Sequence, residues 1–165
     1  MEEVPPVQPE RERAIDLAYR AISARDRTVA ELRTLLERKR VEPQAIAAAV
    51  AELGQAGYLD DARYARRFAE DKRSLERWGR ERIARDLRRR GIQPDLVEAV
   101  VAGQDRDAEL ETALVLLDHR LPEPPADDRE RDRAWRLLIR RGYEPELAYE
   151  AVRIHAIRAS DRRVA

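Results

Sequence analysis

The side chains of this chain that could bind a metal or attack a substrate are few and widely separated. The two histidines, His119 and His155, stand alone, and the sequence contains no cysteine. Protein zinc sites need three or four nitrogen, sulfur or carboxylate ligands held close together. We therefore expect both histidines to be surface or packing residues, and the sequence predicts no metal site and no cofactor.

Asp60 and Asp61 form an adjacent carboxylate pair, which could indicate a metal site or acid–base catalysis. The plainer interpretation is a helix start, with Asp60 as the N-cap and Asp61 as a first-turn acid that the helix dipole favours. No serine lies in a nucleophile-elbow pattern, and the six glycines form no phosphate-binding loop. The chain is therefore predicted not to be an enzyme.

Charge is the stronger functional signal, because a net charge of zero hides a marked segregation along the chain. Between Ala62 and Gly91, twelve basic side chains stand against five acidic ones, a net charge of +7. Residues 92–130 carry three basic and eleven acidic side chains, a net charge of −8. Alternating charges on solvated helix faces would explain this pattern less well than a basic surface for a polyanion or an acidic protein groove.

These charges lie on a repeated unit. Prolines at positions 43, 94 and 145 recur at a period of 51 residues, and each follows a leucine by seven positions (Leu36, Leu87 and Leu138). An apolar run of helical spacing follows each proline. Recurrence at a fixed period of tens of residues is the mark of stacked supersecondary units.

Each unit is predicted to contain three short helices. In the first unit, Thr28 and Glu31 form a capping box at the start of the second helix, and Pro43 suits the first turn of the third. Gly91 and Gly142 suit the ends of the later second helices, where a left-handed residue is needed. Arg40 stands at the equivalent position of unit one, so a looser turn is expected there.

No alternating strand pattern appears, so the predicted fold is all-α, with three tandem three-helix repeats stacked into an elongated, curved body. No apolar run is long enough to span a membrane. The expected organisation is a disordered leader at 1–9, repeats at 10–57, 58–103 and 104–159, and a tail at 160–165. A Pro-rich insertion at 121–128 interrupts the third repeat.

Basic clusters end the second helix of every unit, as at Arg38–Arg40, Arg88–Arg90 and Arg140–Arg141. The helix dipole alone accounts for one cation per helix, but not for two or three. We therefore predict a basic strip that binds a partner. It comprises Arg63, Arg66, Arg67, Lys72, Arg73, Arg77, Arg80, Arg88, Arg89, Arg90, Arg140 and Arg141.

Aromatic residues allow two interpretations. Trp135 is predicted to lie in the core of the third unit. Trp78, between Arg77 and Gly79, is expected to pack a helix against its neighbour, and the alternative is an exposed anchor at a partner interface. Tyr58 and the other tyrosines near helix ends are predicted to be structural.

Two motifs in the basic segment resemble the RecX family of recombination regulators. They are Gly-Tyr-Leu-Asp-Asp-x-x-Tyr-Ala at 57–65 and Gly-x-x-x-Ile-x-x-x-Leu-x-x-x-Gly-Ile at 79–92. The resemblance covers roughly residues 12–157 and is weakest in the third repeat. It implies three tandem three-helix repeats and no catalysis. The absence of cysteine fits the reducing cytoplasm, which is the expected location.

The resemblance also implies a partner, the RecA recombinase, bound mainly as its filament on single-stranded DNA. A RecX-like regulator would lie in the groove of that filament and inhibit its ATPase, strand-exchange and co-protease activities, in homologous recombination, DNA repair and the SOS response. Because three stacked units need no partner to bury their apolar faces, we expect a monomer.

One rival function is open: a helical-repeat protein that binds nucleic acid directly, without sequence specificity and without a recombinase partner. Short helix pairs with glycine turns can mimic helix-turn-helix units, although no recognition helix rich in Asn or Gln is present. A structural scaffold whose charges serve only solubility is favoured least, given the charge segregation.

Overall fold

The computed structural model describes the backbone of residues 7–164 and the side chains of residues 8–158. Within that part of the chain the regular structure is nine α-helices, with no β-strand. None of these helices is both long enough and apolar enough to cross a membrane. The helices are α1 Val7–Ala24, α2 Val29–Arg38, α3 Pro43–Gln55, α4 Asp61–Ser74, α5 Arg80–Arg89, α6 Pro94–Ala102, α7 Arg106–Arg120, α8 Asp128–Arg141 and α9 Pro145–Val164.

The nine described helices form three units of three, each with a buried apolar cluster of its own. Leu32, Leu36 and Leu53 lie in the first cluster, and the second and third are built around Leu87 and Leu138. The extensive helix–helix contacts all lie within a unit, where the third helix packs against both others. This arrangement confirms the predicted all-α stack of three-helix repeats, an elongated and curved body in which neighbouring units meet only at their edges.

The helix starts follow the predicted caps. Thr28 and Glu31 make both bonds of the capping box, since the amide of Glu31 donates to Thr28 Oγ1 at 3.1 Å and the amide of Thr28 donates to Glu31 Oε2 at 3.4 Å. The Asp60 side chain accepts from the amide of Arg63 at 2.9 Å. Pro43, Pro94 and Pro145 each occupy the first helical position, where the missing amide hydrogen costs nothing.

The second helices all end in the same left-handed turn. Gly91 and Gly142 have φ values of +81° and +89°, and Arg40 adopts φ 56° at the equivalent position. In each turn the amide of the following residue donates to the carbonyl of the repeated leucine (Leu36, Leu87 or Leu138). In unit one, Val41 donates to Leu36 at 3.1 Å. The prediction of a looser turn at Arg40 is therefore wrong, because the buried Val41 holds the turn closed even without glycine.

Some predicted boundaries shift. Helix α1 begins at Val7, so residues 7–9 of the predicted leader are helical, and the first six residues lie outside the described part. Pro9 falls in the first helical turn, where proline is tolerated. Helix α9 continues to Val164, so the predicted tail at 160–165 is helical through that residue. The insertion at 121–128 is non-helical up to Asp127, which caps α8.

Candidate functional site

The first candidate feature is the junction between units one and two. Thr28 Oγ1 donates to the carbonyl oxygen of Arg90 at 2.7 Å, and Asp61 Oδ1 accepts from the amide of Val29 at 2.9 Å. Unit two therefore supplies both hydrogen-bond acceptors of this contact. The carbonyl at the end of α5 and the carboxylate of α4 both bind the start of α2. Asp61 thus does more than the first-turn role predicted for it, because it also caps a helix of the neighbouring unit.

The junction between units two and three repeats this arrangement 51 positions later. The amide of Gly79 donates to the carbonyl of Arg141 at 2.9 Å, as Thr28 does to Arg90. Glu109 takes the place of Asp61: its Oε1 accepts from the amide of Arg80 at 2.8 Å, and its Oε2 accepts from Arg80 Nε at 2.6 Å. Glu109 is only 1% exposed, so this ion pair is well shielded from water.

Both junctions bring the end of one second helix against the start of another, so that α8, α5 and α2 follow one another head to tail. Glycine permits this approach. A Cβ on Gly79 would lie 2.3 Å from the carbonyl oxygen of Gly142, and one on Gly91 would lie 2.3 Å from the Cβ of Ala30. The junctions therefore fix the angle between units through backbone contact, which long surface side chains could not do.

Two members of the predicted basic strip, in addition to Arg80, belong to these junctions. Arg90 donates to Glu31 Oε1 at 3.2 Å and to the Tyr64 hydroxyl at 3.0 Å, and its guanidinium lies over the Phe68 ring. Arg141 donates to the carbonyl of Glu76 at 2.6 Å. Both are half-buried, so within the cluster Arg88–Arg90 only Arg88 and Arg89 are exposed. The charge of Arg90 serves contact between units.

Four further members of the strip are also half-buried. Arg73 Nε donates to Gln104 Oε1 at 2.8 Å, and Arg80 binds Glu109; both contacts tie unit two to the chain that enters unit three. Burial lowers the pKa of Arg73 from its usual value. Lys72 pairs with Glu76, and Arg77 Nη1 donates to the carbonyl of Ser74 at 2.6 Å.

The remaining members of the strip are exposed: Arg63, Arg66, Arg67, Arg88, Arg89 and Arg140. Several make exposed ion pairs, such as Arg88 with Glu98 at 2.6 Å and Arg67 with Asp26 at 3.0 Å. Such pairs contribute about 0–1 kcal/mol and exchange readily for other partners. We name these six residues the exposed basic set, since their charges lie at the surface and could reach a partner in exchange for surface contacts at most.

Trp78 is buried, with 6% of its surface exposed, so it is a packing residue and not an exposed anchor. Its ring meets Phe68 edge-on at a centroid distance of 6.3 Å, and the Arg82 guanidinium lies 3.9 Å above it. Arg82 lies in the first turn of α5, at the junction with unit three. Trp78 therefore supports the helix start that carries the junction.

Of three further aromatic residues, two depart from their predicted roles. Trp135 is half-buried at the edge of the third core and not inside it. Tyr58 is 57% exposed, although it was predicted to be structural. Tyr143 does have a structural role: it is 2% exposed, and its hydroxyl donates to the carbonyl of Arg77 at 2.8 Å. Burial raises the pKa of the Tyr143 phenol, so this donor is retained at every physiological pH.

Tyr58 lines a cleft of about 280 Å³ between units one and two. Its ring packs edge-on against Tyr19, and arginines from both units line the same cleft. The Gly-Tyr-Leu-Asp-Asp motif was the available sequence signal for this region. That motif placed Tyr58 at a helix end, but not on the side that faces solvent.

The histidines behave as expected of packing and surface residues. His155 is fully buried, with Nδ1 3.0 Å from Asp118 Oδ1 and Nε2 2.8 Å from the carbonyl oxygen of Leu121, and His119 is exposed. His155 thereby ties the Pro-rich insertion to α9. Among the described residues, no group of three or more His, Cys, Asp or Glu side chains could hold a metal ion.

Comparison with known proteins gives consistent results. Residues 14–53 match the family description "RecX, first three-helix domain", and residues 60–101 match "RecX, second three-helix domain". A "Regulatory protein RecX" from Deinococcus radiodurans is 35% identical over 144 residues, which cover 87% of this chain and 69% of that protein. One from Mycolicibacterium vanbaalenii is 34% identical over 161 residues, with coverages of 92% and 87%.

Solved structures agree with the fold. The crystal structure of RecX from Lactobacillus salivarius superposes with a TM-score of 0.80 at 16% identity, covering 91% of this chain and 99% of that one. A second crystal structure, described as regulatory protein RecX, gives a TM-score of 0.76.

Proposed function

Because this chain belongs to the RecX family of regulatory proteins, we propose that it binds the RecA recombinase and its filament on single-stranded DNA. Binding would inhibit ATP hydrolysis, strand exchange and co-protease activity, in recombination, DNA repair and the SOS response. The protein would act in the cytoplasm, as a monomer and without catalysis of its own. The observation that carries the proposal is the array itself: three units held at fixed angles by two equivalent junctions.

A helical filament offers the same groove surface at every protomer, so a ligand gains by making several contacts of fixed spacing. An array of rigid units can meet such a surface with little loss of conformational freedom, because the junctions have already ordered its parts. Several modest contacts then add up to tight binding, since each later contact forms at a high effective concentration. Wedged between protomers, the array would oppose the changes in spacing that accompany ATP hydrolysis.

The exposed basic set supports the same proposal. Positive groups along a ligand speed its encounter with an acidic or phosphate-lined groove and make binding sensitive to salt. The half-buried Arg80, Arg90 and Arg141 contribute differently. They hold neighbouring units together, so their loss would alter the shape of the array as well as its charge. The interface proposed here is therefore smaller than the predicted strip and is centred on Arg66, Arg88, Arg89 and Arg140.

The experiment is a titration of the protein into RecA assembled on single-stranded DNA, with ATP hydrolysis as the readout at several salt concentrations. The variant is Arg66→Glu combined with Arg140→Glu, since both side chains are exposed and neither makes an ion pair within the described residues. The matched control reverses Arg20 and Arg33, exposed cations on unit one. We expect the variant to need at least tenfold more protein for half-inhibition, and the control less than threefold.

If the wild-type protein leaves ATP hydrolysis unchanged at saturating concentration, the proposed function is wrong. If the variant inhibits as well as the wild type does, the exposed basic set is only a solvated face, whatever the partner. Circular dichroism of each variant checks that the helices are intact.

Direct binding of nucleic acid is a second candidate, favoured by the cleft between units one and two. Tyr58 offers an exposed ring on which a base can stack, and Arg27, Arg63 and Arg67 line the same cleft. Aromatic stacking combined with arginine is the usual means of binding single strands without sequence specificity. Fluorescence anisotropy with a labelled oligonucleotide and no recombinase tests this function. Equal affinity of wild type and Tyr58→Ala would exclude the cleft.

A further inference from the structure

The end of α2 carries three adjacent cations that the array does not use. The junctions take one cation from the basic cluster of each later unit, Arg90 and Arg141, to hold the neighbouring unit. Their equivalent at the 51-residue period is Lys39, at the end of α2, where the row of second helices stops. Arg38, Lys39 and Arg40 are all exposed, and their side chains make no hydrogen bond or ion pair within residues 8–158. We name these three residues the cationic tip.

The backbone at the tip is completed from within unit one. At the two junctions, the carbonyl of the middle cation accepts a hydrogen bond from the neighbouring unit. At the tip, the carbonyl of Lys39 instead accepts from Arg13 Nη2 at 3.0 Å, and Arg13 is paired with Glu10. The end of α2 therefore needs no backbone donor from a further unit or from another copy of the chain. It presents side-chain charge to its surroundings.

Arg40 is held in a backbone conformation that disfavours a side chain. Its φ of 56° lies in the left-handed region, which glycine adopts at a lower cost. At the equivalent Gly91 and Gly142 a Cβ has no room, because it would lie 2.3 Å from an atom of the neighbouring unit. No unit packs on the tip, so a side chain fits there, but glycine would be the more stable residue. Strain of this kind is concentrated at functional sites, where a particular side chain is needed.

A shallow groove of about 290 Å³ lies beside the tip and shares Arg38 and Lys39 with it. Four cations and one carboxylate line this groove. The carboxylate, that of Glu31, already bonds two arginines, at 3.1 and 3.2 Å. Glu37 and Glu42, the acids next to the tip in sequence, form no ion pair with it. The groove and the tip therefore present an excess of positive charge whose partner must come from outside the described chain.

We propose that the cationic tip and this groove bind an acidic peptide segment of a partner protein. Carboxylates are the complementary group, because a guanidinium donates two parallel hydrogen bonds to one carboxylate. The half-buried Leu35, which lines the groove, offers a contact for one apolar side chain of the segment. The inference goes beyond the proposed function and does not rest on it, since none of the three tip residues belongs to the exposed basic set.

The lining of the groove favours an acidic peptide over a nucleic acid strand. It contains no aromatic side chain and so offers bases no surface for stacking, which is the usual basis of single-strand binding. The cleft that contains Tyr58 does offer such a ring. The two surfaces therefore differ in the chemistry of the ligand that each suits, although both are basic.

The test uses the full chain and a fluorescent peptide of glutamates with a central leucine, followed by anisotropy at several salt concentrations. The comparison ligands are the same peptide with glutamine in place of glutamate, and a labelled oligothymidine. The tip variant combines Arg38→Gln, Lys39→Gln and Arg40→Gly. The control variant removes the same amount of charge from three exposed arginines elsewhere, through Arg20→Gln, Arg33→Gln and Arg153→Gln.

We expect the glutamate peptide to bind the wild type and the control variant with similar affinity, and the tip variant about tenfold more weakly, because charge-assisted hydrogen bonds are lost. The glutamine peptide should not bind, and the affinity of the glutamate peptide should fall as salt rises. Arg40→Gly alone separates binding from folding. It should raise the midpoint of thermal unfolding, since glycine relieves the strain, and yet weaken peptide binding. A residue that served only the fold would not weaken binding while the protein became more stable.

Three results would overturn the inference. The first is the absence of saturable binding of the glutamate peptide. The second is an equal affinity of the tip and control variants, which would mean that the peptide responds to net charge alone. The third is tighter binding of oligothymidine that is lost in the tip variant and kept in Tyr58→Ala, which would identify a nucleic acid as the occupant. None of these measurements contains recombinase, so the proposed function is tested separately.

Discussion

Replacement of Gly79 by alanine should break the junction between units two and three without removing a side chain from either core. Gly79 has φ −78°, which alanine adopts without strain, so the perturbation is purely one of space. The new Cβ would lie 2.3 Å from the carbonyl oxygen of Gly142 and 2.6 Å from the amide nitrogen of Tyr143. Both neighbours are backbone atoms and cannot rotate away.

The loss of stability in Gly79→Ala can be estimated from the distance that the two units must move apart. Ordinary contacts of a Cβ begin near 3.4 Å, so relief requires a separation of about 1 Å. That movement breaks the bonds from Gly79 to Arg141, at 2.9 Å, and from Glu81 to Gly142, at 3.0 Å. At about 1 kcal/mol per hydrogen bond, plus the penalty of leaving buried groups unpaired, the loss should be about 2–4 kcal/mol. Gly54→Ala is the matched control, because its nearest new contact is 4.0 Å.

Urea unfolding and amide hydrogen exchange measure this loss. In a linear array, a weakened interface uncouples its neighbours, so Gly79→Ala should unfold in two steps and lose exchange protection first in unit three. Gly54→Ala should retain a single unfolding transition, with a stability equal to or slightly higher than that of the wild type. Unfolding free energies of the two variants that agree within about 0.5 kcal/mol would refute the claim that backbone contact fixes the angle between units.

The remaining predictions concern charged groups at the first junction. Asp61→Ala leaves the Val29 amide without its acceptor and should lower the free energy of unfolding by about 1 kcal/mol. Asp61→Asn keeps an acceptor, so it should lower the free energy of unfolding by less. Burial raises the pKa of Asp61 above its ordinary value of 3.8, so the ionised carboxylate is disfavoured in the folded state. The stability of Asp61→Asn relative to wild type should therefore be greatest at neutral pH and decline as pH falls through the raised pKa towards 3.8, as denaturation across pH will show. Arg90→Glu places a second carboxylate beside Glu31 and should lower the free energy of unfolding by about 2–3 kcal/mol. Arg88→Glu, at an exposed position, should lower it by under about 0.5 kcal/mol. Equal losses of stability in thermal unfolding would contradict the division between half-buried and exposed arginines.

Helix positions and the repeat were predictable because their causes are local. A capping box needs residues three apart, as at Thr28 and Glu31, and a left-handed helix end needs one residue that tolerates positive φ. The leucines at 36, 87 and 138 mark each core through the same local spacing. The misjudged turn at Arg40 shows the limit: glycine lowers the cost of such a turn, but a buried residue after it can hold the same geometry.

The candidate site was predictable only in part, because the roles of the arginines depend on residues far along the chain. Arg88 and Arg90 stand in one run, yet Arg90 bonds Glu31 across 59 positions while Arg88 is exposed. Composition and spacing determine that the segment is basic and helical; they contain no information on which guanidinium meets a carboxylate in the next unit. Only the stacking of the units decides that, since hydrogen bonds act over about 3 Å and the pairs form where two surfaces meet.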